Sequence, residues 1–337
     1  MKTLVTGANG HLGFNLVKEL LKAEHTVRGS IRSLKDTQNV ERLKSLGDVE
    51  IVEASLDRPD QLSAAMEGID ILFHVAAVYS YTEPGKKREI IDASLKGIKN
   101  AFYAAYEAKV TKIVLTSSAV TLPLTPPGVR PSDENDWTSD IRVPYLKAKT
   151  EGEKLAWDIA KDKKLNMVSV LPGAIGGPGF VKNTPTIDMI EALMMGAMRL
   201  GVMQMNYPYV DVRDVVSAHI LAGEKDCEGR FIVCNNPSPM FRDIIETMHG
   251  IDTKIPLPLT TLPNFMFGAM GFFDKFNHLV LGTPLIASPE LMATMKGKSW
   301  NFSTQRIKDT LGWQQQFSLE QSLSDTIYEI KKQKGKN

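Results

Sequence analysis

TGANGHLG, residues 6–13, is the stretch on which the reading of this chain turns. It follows a short β-branched run, Thr3–Thr6, and opens an amphipathic stretch, Leu12–Ala23. Glycine at positions 7, 10 and 13 permits a tight turn, close backbone approach to a pyrophosphate, and close packing of helix on strand. A helix starting there offers free N–H groups and the positive end of its dipole to phosphate oxygens. A glycine triplet alone is a weak signal. Set between a strand and an amphipathic helix, it points to a dinucleotide site. Gly7, Asn9, Gly10, His11, Leu12 and Gly13 form the candidate cradle, with His11 expected to contribute its backbone N–H rather than its ring.

Outward from this loop the same theme repeats. Strands are expected at Thr3–Thr6, Thr26–Ile31, Glu50–Glu53, Ile71–Val75, Ile113–Thr116 and Met167–Leu171. Helices are expected near Leu12–Ala23, Pro59–Met66, Glu89–Ala108 and Tyr145–Lys161. Strands this apolar, separated by helices, imply a parallel sheet covered on both faces. The predicted class is therefore α/β, a Rossmann-type doubly wound parallel sheet. After Pro172 the glycines crowd and the alternation breaks down. Residues 1–171 are assigned to the nucleotide-binding domain, with 207–235 returning to it. Residues 172–206 and 236–337 are assigned to a smaller, mostly helical substrate domain.

Composition bounds the rest. The 337 residues are 43% hydrophobic and 23% charged with a net charge of +1, ordinary for a globular chain and no lure for nucleic acid or an acidic membrane. Cys227 and Cys234 give neither a metal-ligand spacing nor a disulfide framework. The N-terminus runs straight into a strand–turn pattern, so no signal peptide is expected. A cytoplasmic setting is expected, without metal and without membrane insertion.

The segment TVRGSIRS, residues 26–33, bears on which dinucleotide binds. An acid past the second strand would hold the 2′-hydroxyl of NAD. Here stands Arg32, and a guanidinium suits a 2′-phosphate, so NADP is expected. Arg28 competes from the same strand and face, but Arg32 lies nearer the C-terminal strand end, where ligands bind. Ser33 and Lys35 are its expected helpers. Further on, VPYLKAK (143–149) sets Tyr145 four residues before Lys149 on one helical face, with Lys147 pointing elsewhere. A neighbouring ammonium favours the phenolate and brings a tyrosine towards the range useful for proton transfer.

Taken together, TGANGHLG, VRGSIR, SLD (55–57), FHVAA (73–77), LTSSAV (115–120), YLKAK, LPGAIGGP (171–178), YVDVRDVVSAH (209–219), GRFIVCN (229–235) and STQRIKDTLGW (303–313) resemble the extended short-chain dehydrogenases/reductases. The likeness is to the dihydroflavonol-reductase-like branch of that family, which contains aldehyde and ketone reductases. The resemblance implies that Leu56 and Asp57 flank the adenine. Val75, Ala76 and Ala77 would line the inner ribose and pyrophosphate, Thr116 would border the cofactor, and Pro172 and Gly173 would pass beside the nicotinamide. It selects Ser118 over Ser117 as the hydroxyl on the substrate oxygen, Tyr145 as the proton donor, and Lys149 as its partner and ribose ligand. The implied activity is reduction of an apolar or aromatic aldehyde or ketone by NADPH, in a monomer or homodimer. Epimerase, dehydratase or 3β-hydroxysteroid-type dehydrogenase chemistry is the alternative, and a non-enzymatic NADP sensor a further one.

Other residues are given structural roles. His74 reads as a core or sheet-end histidine, because Tyr145 supplies the proton. Asp211 and Asp214 read as anchors for Arg213 or for backbone groups. The stretch Leu257–Leu285, rich in phenylalanine, is expected to be a core helix or a flap over an apolar substrate, with Tyr79 and Tyr81 facing the same pocket.

Overall fold

The computed structural model describes residues 1–77, 87–262, 279–280 and 289–335. Tyr79, Tyr81 and most of the 257–285 stretch lie outside the described residues. Strands β1 (Lys2–Thr6), β2 (Thr26–Ile31), β3 (Val49–Glu53), β4 (Ile71–His74), β5 (Lys112–Thr116) and β6 (Met167–Pro172) alternate with helices α1 (His11–Lys22), α2 (Thr37–Lys44), α3 (Pro59–Met66), α4 (Lys87–Glu107) and α5 (Pro144–Lys163). Beyond them follow β7 (Ala174–Gly176), α6 (Pro185–Met194), β8 (Val202–Met203), β9 (Tyr209–Asp211), α7 (Val212–Glu224), β10 (Gly229–Val233), α8 (Phe241–Ile251) and β11 (Thr261–Leu262). Helices α9 (Pro289–Met295), α10 (Gln305–Leu311) and α11 (Leu319–Lys334) close the described chain.

Seven strands form one sheet in the order β10-β6-β5-β4-β1-β2-β3, every neighbour parallel. The order reverses between β1 and β4, which opens a crevice at their C-terminal ends, where such sheets bind ligands. The register Thr6↔His74 brings the glycine loop level with the end of β4. β10 returns to the sheet beside β6, whereas β9 pairs with β7 outside it. Helix α2 has no counterpart among the predicted helices. Its cap is nonetheless local, since Asp36 accepts from Asn39 N–H.

The apolar spacing of α1, with Leu12, Leu16, Val17 and Leu20 on one face, buries that face with α7 against the sheet. On the opposite face α3, α4 and α5 contribute Leu62, Met66, Phe102, Ala105 and Ile159. A third cluster joins α6, α8 and α11 around Phe180, Tyr209 and Ile232. Ile307, Leu311 and Trp313, inside the stretch assigned to the substrate side, pack instead with the α1–α7 cluster. The Trp313 indole N–H donates to Asp214 O at 3.0 Å. Asp214 Oδ1 and Oδ2 accept from the N–H groups of Gln316 and Phe317, and Asp211 takes the Arg213 guanidinium.

Candidate active site

The phosphate cradle is shaped by absent side chains. Gly7 has φ +67°, a left-handed conformation that suits glycine. A Cβ on Gly13 would lie 2.2 Å from the Gly7 carbonyl oxygen, so the turn and the helix close only without it. Gly10 N–H donates to Gly7 O at 3.0 Å and caps α1, while the first-turn N–H groups beyond it have no acceptor inside the helix. That is a fitting bed for a pyrophosphate. Thr6 Oγ1 accepts from Val75 N–H at 3.1 Å and Ala76 N–H at 3.0 Å, pinning the end of β4 beside the loop.

Those two bonds also settle a histidine. With both acceptor positions of Thr6 filled, its single proton goes to His74 Nδ1, 3.2 Å away. His74 therefore carries its proton on Nε2. Burial, and then the charge of Lys149, lowers its pKa to about 4. It is neutral structure, as expected. The His11 ring turns away from the cradle to Pro178 O at 3.0 Å, and burial lowers its pKa to about 4.

At the end of β2 the two arginines part. Arg28 is buried: its Nη1 donates to Ala65 O and Glu67 O, and its Nη2 pairs with Glu50 at 2.8 Å. Arg32 is exposed just past the strand, on the turn with Ser33. Glu53, the acid nearest that turn in the register, accepts from Leu34 N–H and Gln61. Arg42 of α2, which the sequence reading missed, lies 3.4 Å over the Phe14 ring and donates to Asn9 O and Gly179 O. Leu56 packs against Gly97, with its carbonyl taken by Asn100, and Asp57 is exposed beside Ser55.

The second half of the site lies where β5 ends. Thr116, Ser117 and Ser118 follow one another, yet their side chains have different duties. Thr116 Oγ1 donates to His219 Nε2 at 2.8 Å, since His219 Nδ1–H is given to Val215 O. Ser117 Oγ is buried and donates to Glu153 Oε2 at 2.6 Å. Ser118 Oγ accepts from Val120 N–H at 3.3 Å, which leaves its proton for another acceptor. Helix α5 starts at Pro144, a residue preorganised for a first turn, and sets Tyr145, Lys149 and Glu153 on successive turns of one face. Lys149 Nζ donates to Thr116 O at 3.2 Å. Burial lowers its pKa to about 8, with the Glu153 carboxylate opposing the fall. Lys147 points outward to Glu151 at 3.7 Å. Because Lys149 and Glu153 both reach the end of β5, half-buried Tyr145 is carried one turn further along the same edge. Pro172 and Gly173 end the neighbouring strand, where Gly173 N–H donates to Val233 O.

Sequence reasoning passed over Glu153 and Arg230. The four-residue spacing Tyr145, Lys149, Glu153 carried the signal for the first; nothing local signals the second. Among the described residues no helix is long and apolar enough to cross a membrane, and no three metal-binding side chains gather.

The model of the NAD dependent epimerase/dehydratase family matches residues 3–234. Tetraketide alpha-pyrone reductase 2 of Arabidopsis thaliana is 32% identical over 273 residues, covering 73% of this chain and 81% of that protein. Dihydroflavonol 4-reductase of Arabidopsis thaliana is 29% identical over 245 residues, covering 68% and 64%. The crystal structure of gox2253 superposes with a TM-score of 0.82 at 28% identity, covering 98% of each chain. The chain belongs to the NAD dependent epimerase/dehydratase family, in its dihydroflavonol-reductase-like branch.

Proposed function

With that membership as premise, we propose that the protein is an NADPH-dependent carbonyl reductase of apolar or aromatic aldehydes and ketones. The observation that carries the reading is the half-buried Lys149 ammonium, held on Thr116 O beside Ser118 and one turn from Tyr145. Bound NADPH supplies the hydride. The Tyr145 phenol gives its proton to the carbonyl oxygen as the C=O π bond breaks. The Ser118 hydroxyl donates to the same oxygen while negative charge develops there, and the Lys149 cation favours the phenolate left behind.

The glycine cradle holds the pyrophosphate, and exposed Arg32 takes the 2′-phosphate, with no acid in its place on β2. Val75, Ala76 and Ala77 line the ribose side, Leu56 and Asp57 the adenine, Pro172 and Gly173 the nicotinamide. Residues 1–171 and 207–235 form the nucleotide side; 172–206 and most of 236–337 form the substrate side. Absorbance at 340 nm over a panel of apolar aldehydes and ketones tests this. NADPH oxidation with at least one carbonyl is expected, and none across the panel in protein that binds NADPH overturns it.

A further inference from the structure

Behind Ser118 lies a buried ion pair that the chemistry above does not use. Glu153 and Arg230 have side chains 1% and 6% exposed, and Arg230 Nε meets Glu153 Oε1 at 2.9 Å. A guanidinium has five N–H donors, and here every one is placed. Nε goes to Glu153; Nη1 goes to Glu134 O and Asp136 O, both at 2.8 Å; Nη2 goes to Thr121 Oγ1 at 2.8 Å and Glu153 Oε2 at 3.3 Å. The Trp137 ring covers the guanidinium 3.6 Å from its centroid.

The network grips the chain on both sides of Ser118. Ser117 Oγ donates to Glu153, and Thr121 Oγ1 donates to Ser118 O at 2.9 Å. Glu153 also rides on α5 one turn beyond Lys149, so one carboxylate ties the serine segment to the helix of Tyr145. Arg230 then ties both to β10 and to the segment around Glu134–Asp136. A buried ion pair is a poor source of stability, because desolvation consumes most of its Coulomb energy. This one holds the serine segment, α5, β10 and the Glu134–Asp136 segment in register.

We infer that Glu153 and Arg230 are positioning residues that set Ser118 against Tyr145 and Lys149. The inference rests on the reductase reading and deepens it. Misplacing reacting groups by about 1 Å costs on the order of a hundredfold in rate, so a pair that fixes this geometry acts on turnover rather than on cofactor binding.

The test compares Ser117→Ala, Thr121→Val and the double variant Glu153→Met/Arg230→Met with wild type and Tyr145→Phe. Steady-state kinetics use a carbonyl that the wild type reduces, alongside NADPH titration and thermal melting. The double variant removes both charges together, so no lone charge is left buried, although Ser117 Oγ and the carbonyls of Glu134 and Asp136 lose partners and some stability is lost with them. Its kcat is expected to fall about a hundredfold, and that of each single variant about tenfold. NADPH Kd should stay within about twofold, with each variant still folded at the assay temperature. A double variant that stays folded and turns over within about twofold of wild type overturns the inference, as does a kcat loss matched by an equal loss of NADPH affinity. If the double variant does not fold, the single variants decide: wild-type kcat in both overturns it. An active Tyr145→Phe overturns the reductase reading itself. An inert Tyr145→Phe beside fully active Ser117→Ala and Thr121→Val removes the positioning role alone.

Discussion

At the end of β1 the chain makes a surface out of what is missing. Gly7, Gly10 and Gly13 lie within one loop, and the shape follows from a turn and helix that no Cβ could enter. At the end of β5 the proposed centre is made from what is present: Ser118, Tyr145 and Lys149, backed by Glu153 and by Arg230, which stands 77 positions from Glu153 in the chain. The first region depends on backbone close approach, the second on side chains kept in mutual register. A backbone cradle tolerates changes in its surroundings but no added atom within it, whereas a side-chain centre is sensitive to its distant supports.

Variants at each end can break this contrast. The largest effect is expected from Tyr145→Phe, which removes the proton and little else. Turnover should fall about a thousandfold with NADPH affinity within about twofold, read by steady-state kinetics and a fluorescence titration. A parallel loss of affinity would show that the two regions are not separable. Gly13→Ala should act the other way: the methyl meets the Gly7 carbonyl, α1 is pushed from the loop, and NADPH affinity should drop about a hundredfold while the Ser118 centre remains built. Binding unchanged in that variant would mean the cradle has slack that the close packing denies. Arg32→Ala sharpens the cofactor side further. Losing one charge-assisted contact costs about 1.5–3 kcal/mol, so NADPH should weaken at least about tenfold and NADH hardly at all. Equal losses would move the 2′-phosphate elsewhere.

The smallest effect concerns the whole fold. His11, His74 and His219 are each lowered by burial from 6.5 to about 4. Between those values the unfolded chain binds protons that the folded chain refuses, so stability falls as pH drops through the window. Asp214, raised by burial to about 6, works in the opposite direction, since the folded chain takes up its proton first. Glu134 and Asp188, also raised by burial, work in the same sense as Asp214, but near pH 6.5 the three histidines dominate because their unfolded pKa lies there. From pH 7 to pH 6 the loss should be on the order of 1 kcal/mol, growing towards pH 4. Urea midpoints that rise on acidification would contradict the buried neutral state of these rings.

What could be read in advance follows from this geometry. The cradle was legible because its three glycines fall within the single stretch 6–13 and the strand and helix around them carry their own patterns. Tyr145 and Lys149 were legible because a helix converts a spacing of four into a shared face. Arg28 and Arg32 were not separable by pleat, because an even spacing puts both on one face of any extended stretch. The carbonyls of Ala65 and Glu67, folded over that face from α3, separate them. The two serines differ likewise through a contact: Ser117 is spent on Glu153, which leaves Ser118.

By itself the sequence determined the parallel sheet, the glycine turn and the tyrosine–lysine face, because local sterics and helical or strand periodicity dictate each within a few residues. Tertiary structure alone showed what occupies Arg28 and Ser117, and it alone assembled the Arg230 network. Those outcomes depend on which distant carbonyl, carboxylate or ring a side chain meets once the core has closed. Such meetings leave no mark on the spacing along the chain.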